Sequence, residues 1–118
     1  MLHHVTLEIS AGDGDRFAEL LGAIGFAAVA PPAALREGFR WFEREGTQVH
    51  LAVVATPAVP PAGHAAFVVA PLDPALARLA ELGFEAEERR RHWGARRVFV
   101  TGPAGHRIEL MEAPPEPA

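Results

Sequence analysis

Residues 2–27, LHHVTLEISAGDGDRFAELLGAIGFA, and residues 63–85, GHAAFVVAPLDPALARLAELGFE, follow one plan. Each opens on a histidine beside an apolar run, passes an aspartate, and enters a helically spaced apolar stripe that stops at Gly-Phe. In the first stretch Val5, Leu7 and Ile9 share one face of a strand, and His4, Thr6 and Glu8 the other. Asp13 and Asp15 offer helix-capping carboxylates before residues 16–25, where Phe17, Leu20, Leu21 and Ile24 form the stripe and Gly25 the stop. In the second stretch residues 64–69 read as the strand and Asp73-Pro74 as the helix start, with proline at the first helical position. Leu76, Leu79 and Leu82 form its stripe, which ends at Gly83.

Outward from these stretches the plan continues. Residues 26–30 read as a short strand, and residues 39–44 and 48–54 as a hairpin turning at Glu45-Gly46. Residues 84–90 repeat the short strand, and residues 97–101 and 107–111 form a hairpin across Gly102–Gly105. The order β-α-β-β-β occurs twice, which predicts an α+β fold of two tandem modules. Module one is expected over 1–56, a stiff proline-rich connector over 57–63 and module two over 64–113. Together they make one domain, 1–113, with a disordered tail at 114–118. The helices are expected to cover the aliphatic face of a curved sheet, leaving the opposite face as the floor of a cup.

Four good ligands sit in these strands on the face away from the helices: His4, His50, His64 and Glu109. His4 and His64 are 60 residues apart, and His50 and Glu109 are 59 apart. A polar residue recurring at one place in a duplicated motif points to a metal site where the halves meet. Three imidazoles and a carboxylate suit zinc, nickel, iron or manganese. A divalent ion with open positions would chelate two neighbouring oxygens of a small-molecule substrate. Each module offers only two ligands, and the connector is short. The expectation is therefore a homodimer with shared sites, two modules facing each other across a two-fold axis.

Candidate substrate-binding residues are Trp41, which shares a face with Phe39, Trp93 in the RHWGAR loop, Met111 beside Glu109, and Arg96 or Arg97 as a bidentate partner for an anion. For each, ordinary packing or a solvated surface is the alternative. His3, out of phase with His4, is expected to face away from the site. His92 and His106 fall in loops without assigned partners.

The composition narrows the chemistry. All eleven basic residues of this 118-residue chain are arginine, and there is no cysteine. Schiff-base and thiolate catalysis are thereby excluded, and Ser10, the one serine, lies in no nucleophile elbow. The net charge of −4 and the short arginine cluster at 89–97 argue against a nucleic-acid partner. No apolar run is long enough for a membrane span, and residues 1–10 do not read as a signal peptide, so a cytoplasmic location is expected.

Three segments, HHVTLEIS at 3–10, GHAAFVVAPLDPALARLAELGFE at 63–85 and RRVFVTGPAGHRIELME at 96–112, make the chain resemble the vicinal oxygen chelate superfamily over residues 2–113. That superfamily includes glyoxalase I, fosfomycin- and bleomycin-resistance proteins and extradiol dioxygenases. The resemblance implies paired modules forming a cup, with His4, His64 and Glu109 as metal ligands. His50 stands at a position where relatives have Glu, Gln or no ligand. It also implies that Glu109 acts as a base, in a lyase, isomerase or dioxygenase, or else that the cup binds a drug or metabolite without metal, as bleomycin-resistance proteins do. The chain departs from the family's closing hairpin at Gly102 and His106, where Asp and Asn or Tyr are commoner. That departure bears on substrate rather than fold.

Overall fold

A computed structural model of the chain describes residues 1–117. Module one comprises β1 (His4–Ile9), α1 (Gly14–Ala23), β2 (Ala27–Val29), β3 (Phe39–Arg44) and β4 (Thr47–Val53). Module two comprises β5 (Ala65–Val68), α2 (Leu72–Glu81), β6 (Ala86–Glu88), β7 (Arg97–Thr101) and β8 (Arg107–Met111). Each module makes a four-stranded mixed sheet, ordered β1-β4-β3-β2 and β5-β8-β7-β6. The first strand of each pairs in parallel with the last, and the other pairings are antiparallel. The two sheets do not close into a barrel.

The helix stops are built alike. After α1 the Phe26 N–H reaches the Leu21 carbonyl at 2.9 Å and the Gly25 N–H reaches Gly22 at 3.1 Å; after α2, Phe84 reaches Leu79 at 2.9 Å and Gly83 reaches Ala80 at 3.0 Å. This double bond pattern closes a helix through a left-handed residue, and Gly25 and Gly83 have φ of 96° and 82°. The phenylalanine that follows each glycine is buried against the core, which fixes how the chain leaves the helix. Between β3 and β4, Glu45 and Gly46 both have positive φ, 50° and 85°, the pair a two-residue type I′ hairpin demands.

Several boundaries differ from the expectation. Asp13 caps nothing: a short 3-10 turn, Ala11–Asp13, precedes α1, and the Asp15 carboxylate instead accepts from Arg40 at 2.9 Å. Helix α2 begins at Leu72, which puts Asp73 and Pro74 inside its first turn. The strand expected over 84–90 shrinks to Ala86–Glu88, because Phe84 serves the helix stop and Arg89 starts a loop. The connector 57–63 carries no helix or strand, and the Ala58 N–H donates to Glu8 at 2.9 Å. Residues 114–117 likewise have neither, and position 118 of the expected tail lies outside the described residues.

One core runs through both modules. Phe17, Leu20 and Leu21 of α1 and Leu72, Ala75 and Leu79 of α2 pack with Val49, Leu51, Val98, Val100, Ile108 and Leu110 from the sheets. The modules are joined by Phe26 edge-on to Phe67 at 5.3 Å, by Arg16 over Phe84 at 3.7 Å, and by the Arg44 guanidinium donating to the Val68 carbonyl at 2.8 Å. With the aliphatic sets committed to this core, alternation sends the intervening side chains to the opposite face.

Candidate functional site

Strand register sets out that opposite face residue by residue. In module one, Gln48 stands between His4 and Glu43, and His50 between Thr6 and Trp41. In module two, Glu109 stands between Ala66 and Phe99, and Met111 between Val68 and Arg97. An aromatic ring therefore lies beside the candidate ligand of the last strand in both modules: Trp41 next to His50, Phe99 next to Glu109. Phe99 was not foreseen; the pairing of the two hairpins, not the repeat interval, makes it the counterpart of Trp41.

Module one gathers its rings into a stack. The Trp41 indole lies flat on His50, centroids 3.9 Å apart and planes 2° apart, and His4 covers the other side at 4.0 Å and 18°. His50 is buried, and its Nε2 is 2.7 Å from the Gln48 side-chain oxygen. The Gln48 amide in turn donates to Glu43 at 2.9 Å, so the chain of bonds puts the proton on Nε2 of His50. Burial, then the neighbouring imidazoles of His4 and His3, hold the His50 pKa below the usual histidine value. His3 is exposed as expected, but it does not turn away: its Nδ1 is 2.9 Å from that of His4. The reason is its place just before β1, where strand alternation does not yet bind it. The Trp41 Nε1–H is buried without an acceptor.

Module two gathers the charges. His64, one residue before β5, donates from Nδ1 to the Ala62 carbonyl at 3.0 Å and brings Nε2 to 2.9 Å from Glu109 Oε1. Phe99 stands edge-on to the His64 ring at 4.9 Å. The other carboxylate oxygen of Glu109 is 3.6 Å from Nε of Arg97, whose side chain is only 13% exposed. Neither Nε nor Nη1 of Arg97 has a hydrogen-bond partner. Met111 is half-buried beside it, and Trp93 is fixed by its Nε1–H donating to Ala113 at 2.9 Å.

The remaining candidates separate cleanly. Arg96 is held by both Asp73 and Glu88, which keep its charge in place and leave little of it free for a ligand. His106 finds a partner in module one. It is buried, donates from Nε2 to the Glu8 carbonyl at 2.6 Å and meets Phe17 edge-on, so it pins module two to β1. His92 is exposed.

The two ligand pairs do not come together in one chain. Among the described residues, no group of three or more His, Cys, Asp or Glu side chains is arranged to hold a metal. The His64–Glu109 pair suits a divalent ion, because the fixed Nδ1–H leaves Nε2 and Oε1 as neighbouring donors. The stacked His4 and His50 do not converge on a point, since parallel rings direct their in-plane lone pairs side by side.

Solved structures share this architecture. A glyoxalase family protein from Bacillus anthracis matches at 26% identity with a TM-score of 0.82, covering 94% of this chain and 93% of that one. The fosfomycin resistance protein FosX from Listeria monocytogenes matches at 20% identity and TM-score 0.75, over 97% of this chain and 91% of its own. The oxidase ChaP-H2, also at 20% and 0.75, covers 97% and 94%. No curated protein matches the chain. The family model for the Glyoxalase/Bleomycin resistance protein/Dioxygenase superfamily matches residues 3–110, and the chain belongs to that superfamily.

Proposed function

We propose that this protein is a cytoplasmic, metal-dependent enzyme of lyase, isomerase or dioxygenase type. It would act on a small oxygen-rich substrate in a homodimer whose sites draw on both chains, with neither a membrane nor a nucleic acid as partner. The bonding state of His64 carries the reading. With Nδ1–H committed to Ala62, the neutral ring turns a lone pair toward Glu109 Oε1, 2.9 Å away. Two acceptors that close call for a cation: a second proton on the ring, or a divalent ion. A metal-binding imidazole is oriented in this way, by a backbone carbonyl on its far nitrogen. FosX and the oxidase among the structural neighbours support small-molecule chemistry on this fold.

His64 and Glu109 would hold zinc, nickel, iron or manganese with His4 supplied by a second copy, whose module one faces this module two. His50, bonded to Gln48 and covered on both sides, backs His4 and is not the fourth ligand. The ion would supply Lewis acidity to two neighbouring substrate oxygens. Glu109 keeps a second oxygen within reach of the substrate as a proton acceptor, and Arg97 beside it orients the carboxylate. Trp41, Trp93 and Met111 wall the cup and exclude water.

One observation favours a metal-free binding protein of bleomycin-resistance type instead: Arg97, 3.6 Å from Glu109, already balances the charge of that carboxylate. Elemental analysis and calorimetry on untagged protein decide between the two, after incubation with each of the four metals. The metal reading expects about one ion per site, with His64→Ala and Glu109→Ala each weakening binding by about 100-fold or more and His50→Ala by no more than about tenfold. Absence of binding to all four metals would rule it out.

A further inference from the structure

His64 owes its aim to a part of the chain that neither sheet holds. It stands one residue before β5, and the carbonyl that takes its Nδ1–H, that of Ala62, belongs to the connector. Among the described residues, none from 55 to 63 takes part in a backbone–backbone hydrogen bond. Something else must fix that carbonyl if the ring is to keep one direction.

Two contacts do so. The Ala58 N–H donates to the Glu8 carboxylate at 2.9 Å, which among the described residues is the one side-chain hydrogen bond to the connector backbone besides that of His64 itself. Beyond it the chain bends at Pro61 and Ala62 and brings Gly63 back against Pro60: a Cβ at Gly63 would stand 3.0 Å from the Pro60 Cβ. Pro60 and Pro61 fix their own φ and restrict the residue before each, so the path from Ala58 to Ala62 carries little slack. A restraint applied at one end of a stiff bend is felt at the other.

Glu8 is a firm anchor because its own backbone is held twice. It lies within β1 opposite Ala52, and its carbonyl accepts from Nε2 of His106 at 2.6 Å. A cavity of about 210 Å³ is bounded by Val5 and Leu7 of β1 and by Pro60, Gly63 and His64. The connector bridges this space instead of packing into it, so a connector freed from Glu8 has room to move.

We propose that Glu8 is a positioning residue for His64. By holding the connector at Ala58 it places the Ala62 carbonyl, and through that carbonyl it aims Nε2 of a module-two histidine at Glu109. The inference deepens the proposed function and rests on it in treating Nε2 as a metal donor; the aim of the ring is a property of the metal-free chain. Partners that orient a ligating imidazole from its far side govern metal affinity nearly as much as the ligand does.

The test reads the full-length, metal-free protein by NMR and then titrates zinc, nickel, iron and manganese in turn. In the parent the Ala58 N–H should exchange with solvent more slowly than that of Ala62, likewise exposed but without an acceptor. The His64 ring should show Overhauser contacts to Phe99, which it meets edge-on at 4.9 Å. Glu8→Ala should abolish both signals and weaken metal binding about tenfold. Glu8→Gln keeps an acceptor oxygen and should restore both signals, with binding within about threefold of the parent. Gly63→Ala, which opens the bend without touching Glu8, should loosen the ring while Ala58 stays protected. Asp15→Ala, which strips a carboxylate from Arg40 in the same module, should change none of these. Free exchange of Ala58 in the parent, or undiminished Overhauser contacts in both Glu8→Ala and Gly63→Ala, overturns the proposal; the first is read on the parent, so a poorly folded variant does not shelter it. Metal held equally well by parent and Glu8→Ala refutes the positioning and leaves the metal. A ring that turns away in Glu8→Ala, in protein whose parent takes up none of the four metals, refutes the metal and supports the positioning.

Discussion

His50 lies between two rings and beside an amide that fixes its proton, so charging it is unfavourable in the folded state. Its pKa is lowered from an unfolded value of 6.5, first by burial and then by His4 and His3. Above that value the ring is neutral in both states and contributes no pH dependence. As the pH falls through 6.5 toward the lower folded value, the unfolded chain binds the proton first and stability drops. In metal-free protein, the urea midpoint of the parent should therefore fall more steeply between pH 7.5 and pH 5 than that of His50→Gln; parallel profiles would contradict this. Alternation alone put His50 and Glu109 on the face away from the helices, but it singled out neither Phe99 nor the turn of His3 toward His4. What alternation missed was how Arg96 and Arg97 divide, since only the positions of Asp73 and Glu88 reveal which arginine is already bound. His106 was illegible for a similar reason: its partner is a backbone carbonyl 98 residues away.

At the scale of elements, the two Gly-Phe stops and the Glu45-Gly46 turn were readable because left-handed backbone leaves a local signature. Gly25→Ala tests that reading. A Cβ at φ 96° is strained and would stand 3.0 Å from Nε of Arg44, the side chain that tethers Val68. A loss of about 1–2 kcal/mol is expected by chemical denaturation. Leu79→Ala, in the stripe of α2 and fully buried, should cost about 2–5 kcal/mol through lost contact and a residual cavity. The short strand β6 was overestimated because its residues Ala86–Glu88 are exposed, which leaves pairing with β7 and no burial to extend it.

For the whole molecule, duplication was legible in the sequence, whereas the meeting of the two ligand pairs was not. Register follows from local alternation, but the approach of one module to another depends on which surfaces remain uncovered after folding. In the chain described here His4 belongs to one sheet and His64–Glu109 to the other, and no cluster unites them. The shared-site homodimer is tested by mixing a His4→Ala chain with a Glu109→Ala chain. In a shared site the heterodimer has one intact constellation and recovers about half the metal of the parent dimer, whereas self-contained chains recover none. Sedimentation as a monomer at micromolar concentration would dismiss the dimer outright. No helix among the described residues is long and apolar enough to cross a membrane.

The stack of Trp41 on His50 also gives the molecule an optical signal of its own. An indole in face contact with an imidazole loses its excited state to that ring, and loses it faster when the ring is protonated. The only other tryptophan, Trp93, lies in module two near Arg97, with the guanidinium 6.0 Å from its ring. Each half-site thus carries a single emitter. Trp93→Phe leaves a protein whose fluorescence follows the state of His50 and its neighbour His4, and Trp41→Phe leaves one that reports on the surroundings of Arg97. Arrival of a ligand at either half can then be timed separately, without a label.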